Sequence, residues 1–347
     1  MKMNVTKAGV FSLAALLVGS PFVASAFDHE TDNTVNSGHQ GSDGTVWATI
    51  TSTPYTNKAG LNIPSALCGI GFHQSPIAIN LTAQTLTTNP VTHAGDSNKP
   101  AKIVEPQNLV IARYPQSHSS NEGGAVATDA SNAYVFFNDG HVVKVDLSEG
   151  YRGELLVGHD AYPLVQFHFH TPSEHSIVTE NYPAGRQYDG ESHFVHQNTD
   201  GTLAVLAVFL EKDDAVKPNQ ALATILQNTP YTNSSPATPG HAGTTAFNTS
   251  PATVGLPLHP LELIPRSSTR VFTYAGGLTT PQCSEGVLWF VLSEPLKVPS
   301  SQIIGLQNFY SSNNRIIQNA NNVSADGEAS PLQRTVEIRH NFHAQPY

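Results

Sequence analysis

Basic side chains are scarce in this sequence. Only 17 Lys and Arg stand against 27 Asp and Glu in 347 residues, a formal net charge of −10. No basic run or basic amphipathic stretch supplies the footprint that nucleic acid or an acidic membrane surface requires. Long apolar runs are missing too. The one candidate, residues 8–23, is too short for a comfortable membrane span. With Lys2 and Lys7 before it and Ala24-Ser25-Ala26 after it, this stretch reads as an export signal over residues 1–26. The mature chain would then begin near Phe27 and reside in the periplasm or outside the cell. Cysteine is limited to Cys68 and Cys283. In a cytosolic chain these would be two unrelated thiols, but in an exported one an even number suggests a disulfide. Such a bridge would span nearly the whole fold and stabilise it by at most about 5 kcal/mol on the loop-entropy model. It argues for a single domain.

Charged residues make up only 13%, whereas Gly, Pro, Thr, Ser and Asn abound. This composition favours many short strands and turns over long helices. Against it stand 16 histidines, several in two short runs: Gln166-Phe167-His168-Phe169-His170 and Glu191-Ser192-His193-Phe194-Val195-His196. Both alternate polar with apolar residues, the period of a strand, so Gln166, His168 and His170 share one face and Glu191, His193 and Val195 share another. If the strands are neighbours, three imidazoles converge from two rigid elements. Three neutral nitrogens with one position open is the arrangement of catalytic rather than structural zinc. A ligating histidine gives its other N–H to an amide, carboxylate or carbonyl, and Gln166 and Glu191 each stand two residues away on the proper face. A lone His-x-His is commonplace; its coupling to a second histidine strand lifts this one.

In chain order, residues 27–64 read as a loose approach segment. Strand character appears at 108–113, 133–137 and 142–145. Asn138-Asp139-Gly140-His141 is a hairpin signal between the last two, which sets His141 at a strand mouth. Residues 202–210 form a continuous apolar run, fitting a strand buried on both faces. Residues 216–227 are the best helix candidate, with Pro218 in the first turn, and 300–308 form a short second helix. The stretches 183–190 and 229–258 read as insertions, and 319–347 as a carboxyl-terminal extension with an edge-strand pattern at 335–339.

Gln74-Ser75-Pro76-Ile77, Gly140-His141, Gln166–His170, Ser173-Glu174-His175, Glu191–His196 and Leu278-Thr279-Thr280-Pro281 together resemble the α-class carbonic anhydrases, in the family's order. Trp289-Phe290-Val291-Leu292 follows at the family's spacing. The wording around Glu174 and the two cysteines is similar to bacterial exported members. The resemblance covers residues 65–318. It implies a mainly β (α+β) single domain on a large twisted, mostly antiparallel sheet with a few short peripheral helices. It implies Zn2+ on His168, His170 and His193, with Gln166 and Glu191 behind them. Thr279 would orient a zinc-bound hydroxide and pass its own hydrogen to Glu174, and His141 would shuttle protons. Val195, Val205, Leu278 and Trp289 would form the wall where carbon dioxide docks, Thr280 would line the site, and Cys68 and Cys283 would pair. The implied reaction is reversible hydration of carbon dioxide to bicarbonate, with sulfonamides or anions as inhibitors; a homodimer is compatible with it.

Two other classes stay open at this level. A cupin-type metalloenzyme would use His168, His170, Glu174 and His193 as ligands, leaving Leu278–Pro281 without a role. A non-catalytic relative would use the scaffold as a binding module, although all three zinc histidines are present here.

Overall fold

The structure is a computed structural model. It describes residues 55–56, 62–63, 73–82, 109–114, 134–138, 142–147, 153–229, 258–280, 283–310, 312–318 and 336–346. The expected export signal, His141, Cys68, most of the expected approach segment and most of 229–258 lie outside the described residues.

The strands in chain order are β1 (Tyr55–Thr56), β2 (Asn62–Ile63), β3 (Ala78–Asn80), β4 (Val110–Tyr114), β5 (Tyr134–Asn138), β6 (Val143–Leu147), β7 (Glu154–Val157), β8 (Asp160–His170) and β9 (Ser176–Thr179). They continue as β10 (Tyr182–Gln187), β11 (Gly190–Gln197), β12 (Leu203–Lys212), β13 (Val271–Gly277), β14 (Glu285–Leu292), β15 (Leu296–Val298), β16 (Glu337–Arg339) and β17 (Phe342–Pro346). Among the described residues the helices are α1 (Gln220–Asn228) and α2 (Ser300–Gln307), with a 3-10 turn at Pro260–Leu263. Twelve strands join in one sheet, whose main path runs β16-β13-β14-β12-β11-β8-β7-β4-β17. Most pairings are antiparallel, and the parallel ones are β12 with β14 and β15, β4 with β17, and β3 with β9. The strand-rich fold expected from composition, and the large, mostly antiparallel sheet implied by the resemblance, are both found, with a three-stranded and a two-stranded sheet beside the large one.

Strand β12 is buried from Ala204 to Leu210, as a continuous apolar run must be when both faces are covered. The two apolar clusters lie on the two faces of the sheet. One takes Phe167, Phe169, Val143, Val145, Phe194 and the buried side of α1 and α2. The other takes Val205, Ala207, Phe272, Trp289 and Val291. The 183–190 stretch contributes β10, which pairs with β9. Helix α1 begins later than the 216–227 pattern suggests. The Asn219 side chain caps it by accepting the Leu222 N–H at 2.9 Å, so Pro218 lies before the helix rather than in its first turn.

Residues 336–346 are built into the sheet. Strand β16 pairs with β13 at one end of the path, and β17 pairs with β4 at the other. The intervening Asn341 carbonyl accepts the Val110 N–H at 3.2 Å, while the Phe342 N–H reaches Thr269 O at 3.0 Å. One short bent segment thus joins both ends of the curled sheet.

His196 is buried beside the core face. Its Nε2 lies 2.8 Å from the Tyr114 hydroxyl and its Nδ1 3.2 Å from Ala204 O. Burial pushes its pKa down to about 3. The folded protein therefore keeps His196 neutral where the unfolded chain would protonate it. Its stabilising contribution is complete above about pH 6.5 and is lost as pH falls toward 3, to a limit on the order of 4–5 kcal/mol. His196→Gln is expected to flatten the acid limb of the stability–pH profile between pH 6 and 4. Urea midpoints across that range check this; an unchanged acid slope in the variant would assign the limb to other groups.

Candidate metal centre

Strands β8 and β11 lie side by side, and their register sets His193 directly opposite His168 and Glu191 opposite His170. The alternation that puts Phe167 and Phe169 into the core turns Gln166, His168 and His170 to the other face. The ring centroids of His168, His170 and His193 are 4.7–5.1 Å apart. One ring nitrogen from each lies within 4.8 Å of the other two.

The second nitrogen of each ring is already engaged. His168 Nδ1 lies 2.9 Å from Gln166 Oε1, His170 Nδ1 3.0 Å from the Asn313 carbonyl, and His193 Nε2 2.9 Å from Glu191 Oε1. Each partner is an oxygen that only accepts, so those nitrogens carry the protons. The lone pairs fall on Nε2 of His168, Nε2 of His170 and Nδ1 of His193. His170 Nε2 is buried and without a hydrogen-bond partner. An orphaned lone pair inside a ring of imidazoles is what an ion-binding site requires and what a core without an ion avoids. Burial, and next the neighbouring imidazoles, holds His168 well below the usual histidine range, and burial also lowers His170. Both are therefore neutral and ready to bind a cation at physiological pH.

Behind the ligands runs a buried polar chain. Glu191 Oε1 contacts His193 Nε2 and, at 2.6 Å, His175 Nδ1, while its Oε2 accepts the N–H groups of Glu174 and His175. Burial opposes the charge of Glu191, but the His175 and His193 imidazoles overcome this and hold it well below the usual carboxylate range. His175 Nε2 then lies 2.6 Å from the Tyr274 hydroxyl, which donates to Ser75 Oγ at 2.9 Å. Ser75 Oγ in turn accepts the Gly277 N–H. It approaches β13 so closely that a Cβ on Gly276 would sit 2.2 Å from it, so only glycine fits there. His175, Glu191 and His193 also cluster tightly enough to suggest a second ion site, but their facing atoms are joined by these hydrogen bonds.

The loop that carries Thr279 is anchored at several points. Trp289 Nε1 donates to Gly277 O, Leu278 N to Ser284 O, and Gln74 Nε2 to Cys283 O. Thr279 is buried and Thr280 exposed. Glu174 Oε1 accepts the Arg315 N–H at 2.8 Å, while Glu174 Oε2 is buried with no hydrogen-bond partner. Thr279 therefore does not bond Glu174 in this structure. The Arg315 guanidinium is fully buried and donates to Gln74 Oε1 and the Ser75 carbonyl. Val195, Val205 and Trp289 form one row across β11, β12 and β14, and Leu278 packs on the same cluster. These four apolar side chains are neighbours on one face of the sheet. Asn313, Arg315, Tyr274 and Ser75 are the supporting residues that motif reading left without roles.

A model of the eukaryotic-type carbonic anhydrase family matches residues 61–325. The chain belongs to that family. A carbonic anhydrase of Pectobacterium atrosepticum is 34% identical over 192 residues, covering 55% of this chain and 68% of the relative. One from Nostoc is 33% identical over 216 residues, covering 62% and 72%. Among solved structures, the Thermovibrio ammonificans α-carbonic anhydrase bound to sulfanilamide is similar with a TM-score of 0.52 and 29% identity, covering 78% of this chain and 89% of that one. The Chlamydomonas reinhardtii carbonic anhydrase bound to acetazolamide gives 0.54 and 30%, covering 79% and 93%. Carbonic anhydrases of this class are zinc enzymes that hydrate carbon dioxide, and the histidine triad of this one is a donor set that suits zinc.

Proposed function

We propose that this carbonic anhydrase interconverts carbon dioxide and bicarbonate at a zinc ion held by His168 Nε2, His170 Nε2 and His193 Nδ1. The observation that carries the reading is the set of three converging imidazoles, each with its outer nitrogen tied to an acceptor and its inner one turned to a common point. When bound, the metal supplies the Lewis acidity that makes hydroxide available from water near neutral pH. Three neutral nitrogen ligands leave the cation's charge undiminished, as three thiolates would not.

The chain's own residues do the rest. Gln166, Glu191 and the Asn313 carbonyl fix the orientation and tautomer of the three histidines. The Thr279 hydroxyl takes a hydrogen bond from the attacking oxygen and gives its own hydrogen to Glu174 Oε2, whose lack of a partner supports this assignment. The attacking lone pair is thereby aimed at the carbon. Val195, Val205, Leu278 and Trp289 offer carbon dioxide a dry apolar wall, with Thr280 at its rim. We assign the relay of the released proton to His141, because an unperturbed imidazole changes charge near neutral pH. A Cys68–Cys283 disulfide, formed after export to the periplasm or the cell exterior, braces the Thr279 loop, an assignment supported by the buried position of Cys283.

The test is stopped-flow carbon dioxide hydration on the purified protein, with metal content and acetazolamide inhibition measured on the same sample. The expected result is catalysed hydration with about one zinc per chain, abolished by the sulfonamide. Zinc without hydration would indicate a binding module, and iron or manganese in its place would revive the cupin reading.

A further inference from the structure

The sheet row that carries the ligand histidines continues into a cation. On β6, Lys144 stands opposite His168, and Asp146 opposite Gln166. Register partners on neighbouring strands share a face, so Lys144 lies on the face of the metal centre while Val143 and Val145 point into the core behind it. The Lys144 ammonium sits 4.7 Å from the centroid of the Phe137 ring and 3.0 Å from Asp146 Oδ2. These two neighbours hold it in place, and only 18% of its side chain is exposed.

A lysine here is costly to a zinc centre. It repels the dication, and half-burial adds a desolvation penalty. An ammonium beside a cation site is useful when the third participant is an anion. Carbon dioxide is uncharged and gains nothing from it; bicarbonate gains a charge-assisted hydrogen bond. Among the described residues Asp146 takes one of the three ammonium donors, and the others can serve a ligand.

We propose that Lys144 is an anion-binding residue of the cleft, which holds bicarbonate beside the metal centre as product of hydration and as substrate of the reverse reaction. This rests on the carbonic anhydrase reading above. Asp146 tempers the attraction by sharing the ammonium, so that the product is held but still released.

The test compares zinc-loaded wild type with K144Q, K144R and D146N. Bicarbonate affinity is read at equilibrium, as displacement of a fluorescent sulfonamide whose own affinity is measured for each protein. K144Q is expected to bind bicarbonate roughly three- to tenfold more weakly than wild type. K144R should stay close to wild type. D146N should bind more tightly, because the ammonium is released from its carboxylate. A merely structural role for the pair would not move K144Q and D146N in opposite directions. Equal bicarbonate affinity in wild type and K144Q, with the sulfonamide still bound by both, would overturn the proposal. If the sulfonamide failed to bind the zinc-loaded wild type, the carbonic anhydrase reading itself would fall, and this inference with it.

Discussion

Replacing His193 with alanine is expected to strip the protein of its zinc and to reduce carbon dioxide hydration by on the order of a thousandfold or more. The side chain is almost wholly buried, at 1% exposure, and lies opposite His168 in the middle of the ligand row. Its loss removes one of three converging donors and leaves Glu191 Oε1 with His175 alone. Metal content after dialysis reads the first effect and stopped-flow hydration the second. Unfolding supplies an independent check, because a ligand that binds only the folded state raises its stability. Chelator should lower the urea midpoint of the wild type and leave that of His193→Ala unchanged. Full zinc retention by the variant would remove His193 from the ligand set.

Glu191→Ala is expected to be nearly as damaging, through a different route. One carboxylate serves His193, His175 and the N–H groups of residues 174 and 175, all in the dry interior. Removing it leaves two imidazoles and two backbone donors unsatisfied, a stability cost of about 3–5 kcal/mol, and frees the His193 ring to rotate, lowering zinc affinity about 10- to 100-fold. The sign with pH is fixed by the depressed pKa of Glu191. Its contribution is present above the ordinary unfolded value of about 4.3 and lost as pH falls through the lower folded value. The deficit of the alanine variant should thus be fully developed at neutral pH and shrink only under strong acid. Denaturation at pH 7 and pH 3 measures this, alongside zinc competition titrations. A Glu191→Gln variant, which keeps the shape but not the charge, should fall between.

The two histidine strands were legible because their signal is local. Alternation assigned the faces of β8 and β11, and the face assignment alone brought Gln166 to His168 and Glu191 to His193. The hairpin signal at 138–141 likewise marked the antiparallel β5 and β6 pair. What escaped was whatever acts through the backbone or across long sequence gaps. The carbonyl of Asn313 orients His170, yet a carbonyl is common to every residue and leaves no trace in a sequence. Arg315 touches Gln74 across 241 residues and Glu174 across 141, distances no periodicity can span. The start of α1 was misplaced because an apolar pattern continued through Val216, while the Asn219 cap decides where hydrogen bonding begins.

The bent segment at 336–346 has a kinetic consequence. Its two strands close the sheet by pairing with β13 and β4, elements laid down far earlier in the chain, and Arg315 reaches back to Gln74 in the same way. Contacts of such sequence separation form slowly, after local hairpins such as β5 with β6 and β9 with β10. In refolding, most of the β signal should therefore return before the metal centre does. A folding intermediate of this protein would carry its histidine strands already paired, and would still be unable to hold zinc tightly until the last long-range contacts had locked Asn313 and Arg315 against them.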